Sequence, residues 1–450
     1  MFKLRNLIVV IIGIAAGSAL AGNPFSKVTS TAAGVSTWDA DLINSDAVPQ
    51  TGKGVYVAVL DTGLVPNWKD YFPGARVATA LGKGFIQPVN FKAKNLDPCG
   101  LDTEVGQLRE ASWVGSAAST HGTHVASTIL GYFYQSNADS SQGYPLPPLM
   151  IRGIAPEVTL IPVRVLADYQ VPALPKCTDP GPTKSETVVF GTSAMVAAGI
   201  NYATDLAIAG YRPMVINMSL GGGALEPVEK AAIDRAIAHG VIVVAAAGNT
   251  GAKGMHYPGA YAPVISVGSA GWVEEWLNPN GTSPPRYRLW WLQSDYYPFF
   301  DIAEPIPVND VYVSDFSSRE LAGQQLDVLA PGSWVRGPFP GDPGFSHLPW
   351  WSKGIGNLRG RNTGNFYYVG GTSMATPHVA ATAALLLQKN PHLNQAAVET
   401  ILKSTTLPIA PGATVIYDIN PTPGFYPVSW GADATGAGLI QVDDATAATP

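Results

Sequence analysis

The stretch Val55-Tyr-Val-Ala-Val-Leu-Asp-Thr-Gly63 decides the fold class of this chain. Its first six residues are continuously hydrophobic, which favours a strand buried on both faces of a parallel sheet over a half-exposed strand. Similar runs recur at 159–166, 214–218, 241–245, 264–267 and 326–329. Asp61 follows the first run directly, so we expect a carboxylate at the carboxyl end of a buried strand, where parallel sheets form their sites.

Helical patterns lie between these runs, at 186–209, 227–239, 372–389 and 396–403. The second begins with Pro227 and is followed by Gly240, which are typical first and C-terminal cap residues. Alternation of strands and helices predicts an α/β fold of three layers, with a largely parallel central sheet and helices on both faces. Long inserted loops are expected at about 75–120, 134–151, 168–185, 271–310 and 337–366.

Composition narrows the classes of protein. The chain has 450 residues, of which 46% are hydrophobic and 13% charged, so a large buried core is possible. The formal net charge is −6. Binding to nucleic acid would need clustered Lys and Arg, which are missing, so we exclude nucleic-acid partners.

The N-terminus has the pattern of an export signal. Lys3 and Arg5 precede an apolar stretch at 7–16, and Ala19-Leu-Ala21 offers small residues for cleavage. We therefore predict a signal peptide over 1–21 and a single domain over 22–450, secreted to the medium, the cell surface or a periplasm. An uncleaved anchor is the alternative, but the apolar stretch is too short to span a bilayer comfortably.

Two cysteines are present, Cys99 and Cys177, without the spacing of a metal site. In an oxidising compartment a disulfide between them is expected, with two free thiols as the alternative. Closing a loop of about 80 residues would stabilise the fold by ~4.5 kcal/mol in the chain-entropy model.

Three segments carry the chemistry. They are Ala58-Val-Leu-Asp-Thr-Gly63, Thr120-His-Gly-Thr-His-Val-Ala126 and Gly370-Gly-Thr-Ser-Met-Ala-Thr-Pro-His-Val-Ala380. Each alone has an ordinary structural explanation: a turn residue, a buried histidine, a helix start. Together they give Asp, His and Ser in one of the chain orders known for catalytic triads.

With their flanks, these segments resemble the subtilisin-like protease family, the subtilases. Further stretches resemble family segments in the same order: 217–222, 245–249, 257–259, 264–268, 327–332 and 436–440. The resemblance covers about 54–442. It implies a serine endopeptidase that acts on protein or peptide substrates, here expected to be a monomer.

The resemblance also implies residue roles. Ser373 would be the nucleophile, His121 the general base and Asp61 its orienting carboxylate. Asn249 would donate to the oxyanion. The segment Ser219-Leu220-Gly221 would pair with the substrate as an added strand.

His256 stands just before Tyr257-Pro258, where relatives form the primary specificity pocket. We therefore expect a pocket unlike that of members that prefer large apolar residues.

The chemistry needs no cofactor. Asp70 lies where many relatives place a calcium-binding carboxylate, although a lone Asp is more often a solvated turn residue. His124 is interpreted as structural, because a zinc pair with His121 would need a spacing of four with a Glu. His378 is interpreted as structural because it lies five residues past Ser373 and so faces away from it on a helix. The aromatic run at 289–300 is interpreted as local packing, with a substrate-gripping or partner-gripping patch as the alternative.

The chain also departs from the family before its first motif, and several alternative functions are open. Only about 40 residues separate the expected cleavage point from Asp61, so no inhibitor propeptide is recognisable. A transpeptidase or peptide cyclase could use the same triad, and a non-catalytic binding protein could use the same scaffold. An aspartic protease would need a second Asp-Thr-Gly, which does not occur.

Overall fold

The computed structural model describes residues 24–94, 97, 99–115, 119–134, 148–174, 185–275, 302, 304–340, 351–352, 365–418 and 424–450. The predicted signal peptide and the aromatic run at 289–300 lie outside these residues. Within them, none of the helices combines the length and the hydrophobicity that a membrane crossing requires.

The strands are β1 Tyr56–Asp61, β2 Lys83–Ile86, β3 Val89–Ala93, β4 Leu101–Val105, β5 Arg109–Ala111, β6 Gly131–Tyr134, β7 Leu149–Arg152, β8 Thr159–Arg164, β9 Ala167–Val171, β10 Glu186–Phe190, β11 Met214–Met218, β12 Ile242–Ala246, β13 Ile265–Trp272, β14 Val311–Val313, β15 Val328–Pro331, β16 Val335–Pro338, β17 Trp351–Ser352, β18 Phe366–Val369, β19 Gly412–Asp418 and β20 Gly424–Trp430. The α-helices are α1 Trp38–Asp41, α2 Thr120–Leu130, α3 Ser193–Ile208, α4 Pro227–Ala238, α5 Thr372–Lys389, α6 Gln395–Ser404 and α7 Val442–Ala448.

The central sheet of the described residues has nine strands, in the order β14-β13-β12-β11-β1-β8-β2-β5, with β15 also paired to β13. The strands from β13 to β2 in this order are parallel. Strands β14 and β5 are antiparallel at the two ends. The predicted, largely parallel sheet is therefore confirmed.

Both faces of the sheet are covered, as the continuous hydrophobic runs predicted. On β1, Val57 and Val59 belong to a core that includes α2 and α5, while Ala58 and Leu60 belong to a second core with α3 and α4. Successive side chains of a strand point to opposite faces, so one strand supplies both cores. The fold is a three-layer α/β architecture.

One predicted helix was too long. Residues 186–190 form strand β10, antiparallel to β9, and α3 begins only at Ser193. The β-branched and aromatic residues of Thr187-Val-Val-Phe190 favour a strand, and the hydroxyl of Thr192 then caps the helix by accepting from the Met195 amide. The region predicted as an inserted loop at 168–185 thus contributes part of a hairpin.

The described residues before the sheet, 24–51, form what we call the N-terminal segment. Its Trp38, Leu42 and Ile43 are fully buried in the α2/α5 core. The Ile43 carbonyl accepts a hydrogen bond from the Val442 amide at 2.8 Å. The N-terminal segment therefore packs against the core formed by α2 and α5 and contacts the start of α7. It is an integral part of the folded chain.

Candidate active site

The buried carboxylate of Asp61 ends strand β1 and contacts helix α2. Its Oδ1 accepts a hydrogen bond from the Thr62 amide at 2.7 Å. The Nδ1 atom of His121 lies 2.8 Å from Oδ1 and 3.0 Å from Oδ2. Because a carboxylate only accepts hydrogen bonds, His121 donates from Nδ1, and its Nε2 is left to take a proton.

Two glycines allow this close approach of β1 and α2. Gly63 has a φ of +79°, and a Cβ there would collide with the carbonyl oxygen of Trp113. A Cβ at Gly122 would lie 2.5 Å from the Gly63 carbonyl oxygen and 3.0 Å from Asp61 Oδ1. The Gly122 amide also donates to Thr62 Oγ1 at 2.9 Å. The first turn of α2 is thereby fixed against the end of β1.

The environment of His121 favours its cationic form. Burial by itself lowers the pKa of His121, but the negative charge of Asp61 and the hydrogen bond to it outweigh burial, so the net pKa is raised. The side chain is 29% exposed, so one edge of the ring remains accessible to a substrate.

Ser373 lies in the first turn of α5 and is joined to Ser219 by two hydrogen bonds. Ser373 Oγ donates to the Ser219 carbonyl at 3.1 Å, and Ser219 Oγ donates to the Ser373 carbonyl at 2.8 Å. The second bond has a local cause: Pro377 has no N–H, so the Ser373 carbonyl lacks its usual donor within the helix. In this conformation Ser373 Oγ is directed to Ser219 and not to His121.

His121 and Ser373 are brought to the same edge of the sheet. Strands β1, β11 and β12 are neighbours and parallel, so their carboxyl ends meet at one edge. His121 contacts Asp61 at the end of β1. Ser373 contacts Ser219 just after β11, and Thr372 Oγ1 accepts from the Gly248 amide just after β12. Helices α2 and α5 pack against each other below this edge.

Asn249 is held beside the start of α5. Its Oδ1 accepts from the Thr372 amide at 2.8 Å and from the Thr372 hydroxyl at 2.9 Å. Since both partners are donors, the amide orientation is fixed, and Nδ2 is the group that remains as a donor. The position that a Cβ would take on Gly371 lies 3.6 Å from Nδ2. Asn249 therefore presents N–H groups next to the first turn of α5, which contains Ser373.

The predicted substrate segment divides into a buried and an exposed part. Ser219 is buried against Ser373, whereas Leu220 is partly exposed and Gly221 is exposed. Gly222 and Tyr257 exchange two backbone hydrogen bonds, of 2.7 and 2.9 Å. The exposed residues thus form an edge between the end of β11 and the Gly222–Tyr257 bridge.

His256 separates this edge from the Asn249 segment. A Cβ on Gly221 would lie 2.8 Å from His256 Cβ, and one on Gly248 would lie 2.8 Å from His256 Cγ. The Nε2 atom of His256 lies 3.3 Å from Thr250 Oγ1. Burial lowers the pKa of His256, so the ring is neutral near neutral pH. The imidazole fills the space between the two glycines.

The other two motif histidines are fully buried. The Nε2 atom of His124 lies 3.1 Å from the Val335 carbonyl, and burial lowers the pKa of His124 to about 3. His378 lies against the Met374 carbonyl and the carboxylate of Asp39. Sequence reasoning missed Asp39, because no local pattern distinguishes it from a solvated carboxylate.

Thr62 and Thr372 were also missed, although each adjoins a predicted catalytic residue. Their hydroxyls hold Gly122 and Asn249, respectively. Adjacency to the motif residues was the only signal that could have drawn attention to them.

The calcium prediction finds little support around Asp70. This exposed carboxylate accepts a hydrogen bond from Asn67 Nδ2 at 3.0 Å. Among the residues that the structure describes, none of the His, Cys, Asp and Glu side chains form a group of three suited to a metal ion. Calcium binding at Asp70 stays a prediction. Cys177 lies outside the described residues, so the disulfide also stays a prediction.

The three-layer α/β fold, with a buried Asp–His pair and a helix-borne serine at one sheet edge, is the arrangement of a serine hydrolase. The sequence model of the subtilase family matches residues 52–422. The chain therefore belongs to this family. It is thus a subtilisin-like serine protease, a hydrolase of the serine endopeptidase class.

Individual relatives agree. The chain is 30% identical over 371 residues to subtilisin DY of Bacillus licheniformis, covering 81% of this chain and 89% of that protein. It is 29% identical over 376 residues to subtilisin E of Bacillus subtilis (strain 168), covering 83% of this chain and 65% of that protein. The solved structure of sphericase is similar with a TM-score of 0.51 and 25% identity, covering 90% of this chain and 98% of the other.

Proposed function

We propose that this protease cleaves internal peptide bonds with Asp61, His121 and Ser373 as its catalytic triad. The observation that carries the proposal is the hydrogen bond from His121 Nδ1 to the buried Asp61 carboxylate. This bond orients the imidazole and stabilises its cation, which is what a general base beside a serine requires.

The reaction follows from these positions. Ser373 Oγ leaves the Ser219 carbonyl, turns to His121 Nε2 and attacks the peptide carbonyl carbon while Nε2 takes its proton. The tetrahedral intermediate collapses as His121 returns the proton to the leaving amine nitrogen, giving an acyl-enzyme. A water then attacks the ester with His121 as base again, which releases the acid and restores Ser373.

The oxyanion is proposed to bind between Asn249 and Ser373. Asn249 Nδ2 is the unused donor of that side chain, and the Ser373 amide lies in the first turn of α5, where N–H groups lack intrahelical acceptors. In subtilisin, loss of such a side-chain donor lowers turnover by about 100- to 1,000-fold. Asn249→Ala is therefore expected to lower kcat by that order.

Substrate binding is proposed along the exposed edge at 220–221, where an extended peptide would add a strand. His256 would form the base of the primary pocket and narrow it. A peptide library is expected to show weak cleavage after large apolar residues, and His256→Gly should strengthen it. A wild-type profile that favours large apolar residues would contradict this role.

The chain is also proposed to be exported, with cleavage after Ala21 and a Cys99–Cys177 disulfide in the mature protein. N-terminal sequencing and intact mass of the protein from the culture medium or periplasm test both points. A mature protein that begins at Met1, with two alkylatable thiols, would contradict them.

The decisive test of the triad is labelling with a fluorophosphonate probe and mapping of the labelled peptide. Labelling is expected at Ser373 and should be lost in Ser373→Ala and His121→Ala. Ser193→Ala is the matched control, since Ser193 also follows Gly-Thr at the start of a helix. A folded, mature protein that is not labelled would leave the binding-protein alternative, and ligated in place of hydrolysed peptide products would indicate a transpeptidase.

A further inference from the structure

A buried acid–base contact joins the N-terminal segment to helix α5, outside the proposed triad. The Nε2 atom of His378 lies 3.0 Å from Oδ2 of Asp39, across 339 residues of sequence. Asp39 is 5% exposed and His378 is 0% exposed. Ionisable groups are rarely buried to this extent unless they are paired.

The geometry determines the form of this pair. His378 Nδ1 lies 2.9 Å from the Met374 carbonyl, which can only accept. Burial raises the pKa of Asp39, but the hydrogen bond and charge of His378 outweigh burial and the net pKa is lowered, so Asp39 is a carboxylate. The Met374 carbonyl and the Asp39 carboxylate thus lie at the two ring nitrogens of His378 and hold the ring in place.

The acceptor of Nδ1 lies next to the nucleophile. Met374 follows Ser373 in the first turn of α5, and that turn lacks one regular helical hydrogen bond because of Pro377. The Ser219 hydroxyl replaces the missing donor to the Ser373 carbonyl. The His378 ring adds a second donor to the Met374 carbonyl. Both side chains thus contact the turn that carries Ser373.

The N-terminal segment also holds the other end of α5. Gln388 Oε1 accepts from the Thr51 amide at 2.8 Å, and from the Gly52 amide, which follows the segment, at 2.7 Å. The chain just before β1 therefore contacts α5 near both of its ends.

We propose that Asp39 is a positioning residue for Ser373, which acts by holding His378 so that its Nδ1 donates to the Met374 carbonyl in the first turn of α5. The inference rests on the proposed function, in which Ser373 is the nucleophile. Among the described residues, His124 on α2 and Tyr132 on β6 also respond to the charge of Asp39, and both are buried.

The first experiment compares three variants of the full-length mature protein by the rate of fluorophosphonate labelling, kcat, KM and Tm. Asp39→Leu removes the acceptor, Asp39→Asn keeps a side chain that can hydrogen-bond to Nε2, and Ser45→Ala is the control. Ser45 donates to the Ala40 carbonyl at 2.9 Å within the same segment and does not contact α5 in the described hydrogen bonds.

We expect Asp39→Leu to slow labelling and lower kcat by roughly tenfold, with KM within about twofold, because a displaced nucleophile impairs attack and not binding. Asp39→Asn should retain most of the rate, and Ser45→Ala should keep the wild-type rate whatever its Tm. Wild-type labelling and kcat in folded Asp39→Leu, or an equal loss in Ser45→Ala, would overturn the positioning role.

The second experiment observes the ring of His378 directly. The ¹⁵N shifts of His378 in the wild-type protein are expected to show Nδ1 protonated, because Nδ1 donates to the Met374 carbonyl. An unprotonated Nδ1 would overturn the positioning role. A wild-type protein with Nδ1 protonated but without labelling at Ser373 would instead overturn the proposed function and, with it, the positioning role.

Discussion

At the scale of single residues, the Asp61–His121 contact of the proposed triad is expected to set the pH dependence of activity. His121 must be neutral to accept a proton, and Asp61 raises its pKa above the ordinary value of 6.5. Activity in the wild type should therefore fall as the pH drops through a value above 6.5. The negative charge that causes this shift belongs to one side chain, so it can be removed alone.

Asp61→Asn is expected to lower kcat by about 10⁴-fold, the order known for the same change in a serine-protease triad. Burial then dominates the pKa of His121, so the acid limb of the residual activity should move to lower pH. The measurement is kcat/KM as a function of pH. The control is Asp70→Asn, which makes the same chemical change at an exposed carboxylate. An acid limb at the same pH in Asp61→Asn would mean that another group titrates.

Gly122 carries a second residue-scale prediction. Gly122→Ala places a methyl group 2.5 Å from the Gly63 carbonyl oxygen, a backbone atom that cannot rotate away. We expect a loss of about 1–3 kcal/mol of unfolding free energy, together with a lower kcat as α2 moves from Asp61. Gly74→Ala is the matched control, because nothing lies within 4 Å of its Cβ position. Equal stability of the two variants in urea would contradict the argument.

At the scale of elements, α5 is a helix whose first turn is completed from outside. Ser219, at the end of β11, supplies the hydrogen bond that Pro377 denies to the Ser373 carbonyl. A strand end and a helix start are therefore coupled at the site where the chemistry is proposed. This coupling can be measured, because either partner can be changed separately.

Ser219→Ala is expected to cost about 1–3 kcal/mol, the penalty for leaving a buried carbonyl without a donor. Pro377→Ala restores an N–H, so the double variant should recover part of that loss. Urea unfolding of the four proteins gives the coupling energy. Thr382→Ala is the control, since Thr382 donates to the His378 carbonyl at 2.7 Å within regular helix and no proline removes its backbone donor. Strict additivity would show that Ser219 and Pro377 act independently.

The helix boundaries show which parts of the secondary structure local sequence patterns predict and which they do not. The predicted helix at 227–239 is α4, Pro227–Ala238, and Gly240 follows it with a φ of +78°. The helix predicted at 186–209 lost its first part to β10, because the partner strand β9 offers backbone hydrogen bonds that no local pattern reveals. Strand pairing is a tertiary event, and it overrode the helical periodicity.

At the scale of the whole molecule, the proposed disulfide should contribute to stability by closing a long loop. Reduction, or Cys99→Ser, is expected to lower the unfolding free energy by up to ~4.5 kcal/mol. Cys177→Ser and the double variant should give the same value as Cys99→Ser, which is the internal control. Identical urea midpoints with and without reductant would show that the bond does not form.

The sequence by itself determined the fold class, the family and the candidate triad. Hydrophobic runs, caps and short motifs are local features of the sequence. A strand that is buried on both faces is directly visible as a continuous hydrophobic run. Only the tertiary structure decided which side chains meet: Asp61 and His121 across 60 residues, Ser219 and Ser373 across 154, and Asp39 and His378 across 339. Such contacts depend on loop paths and packing. A buried charged group is stable only where its partner lies beside it. No single stretch of sequence encodes that placement.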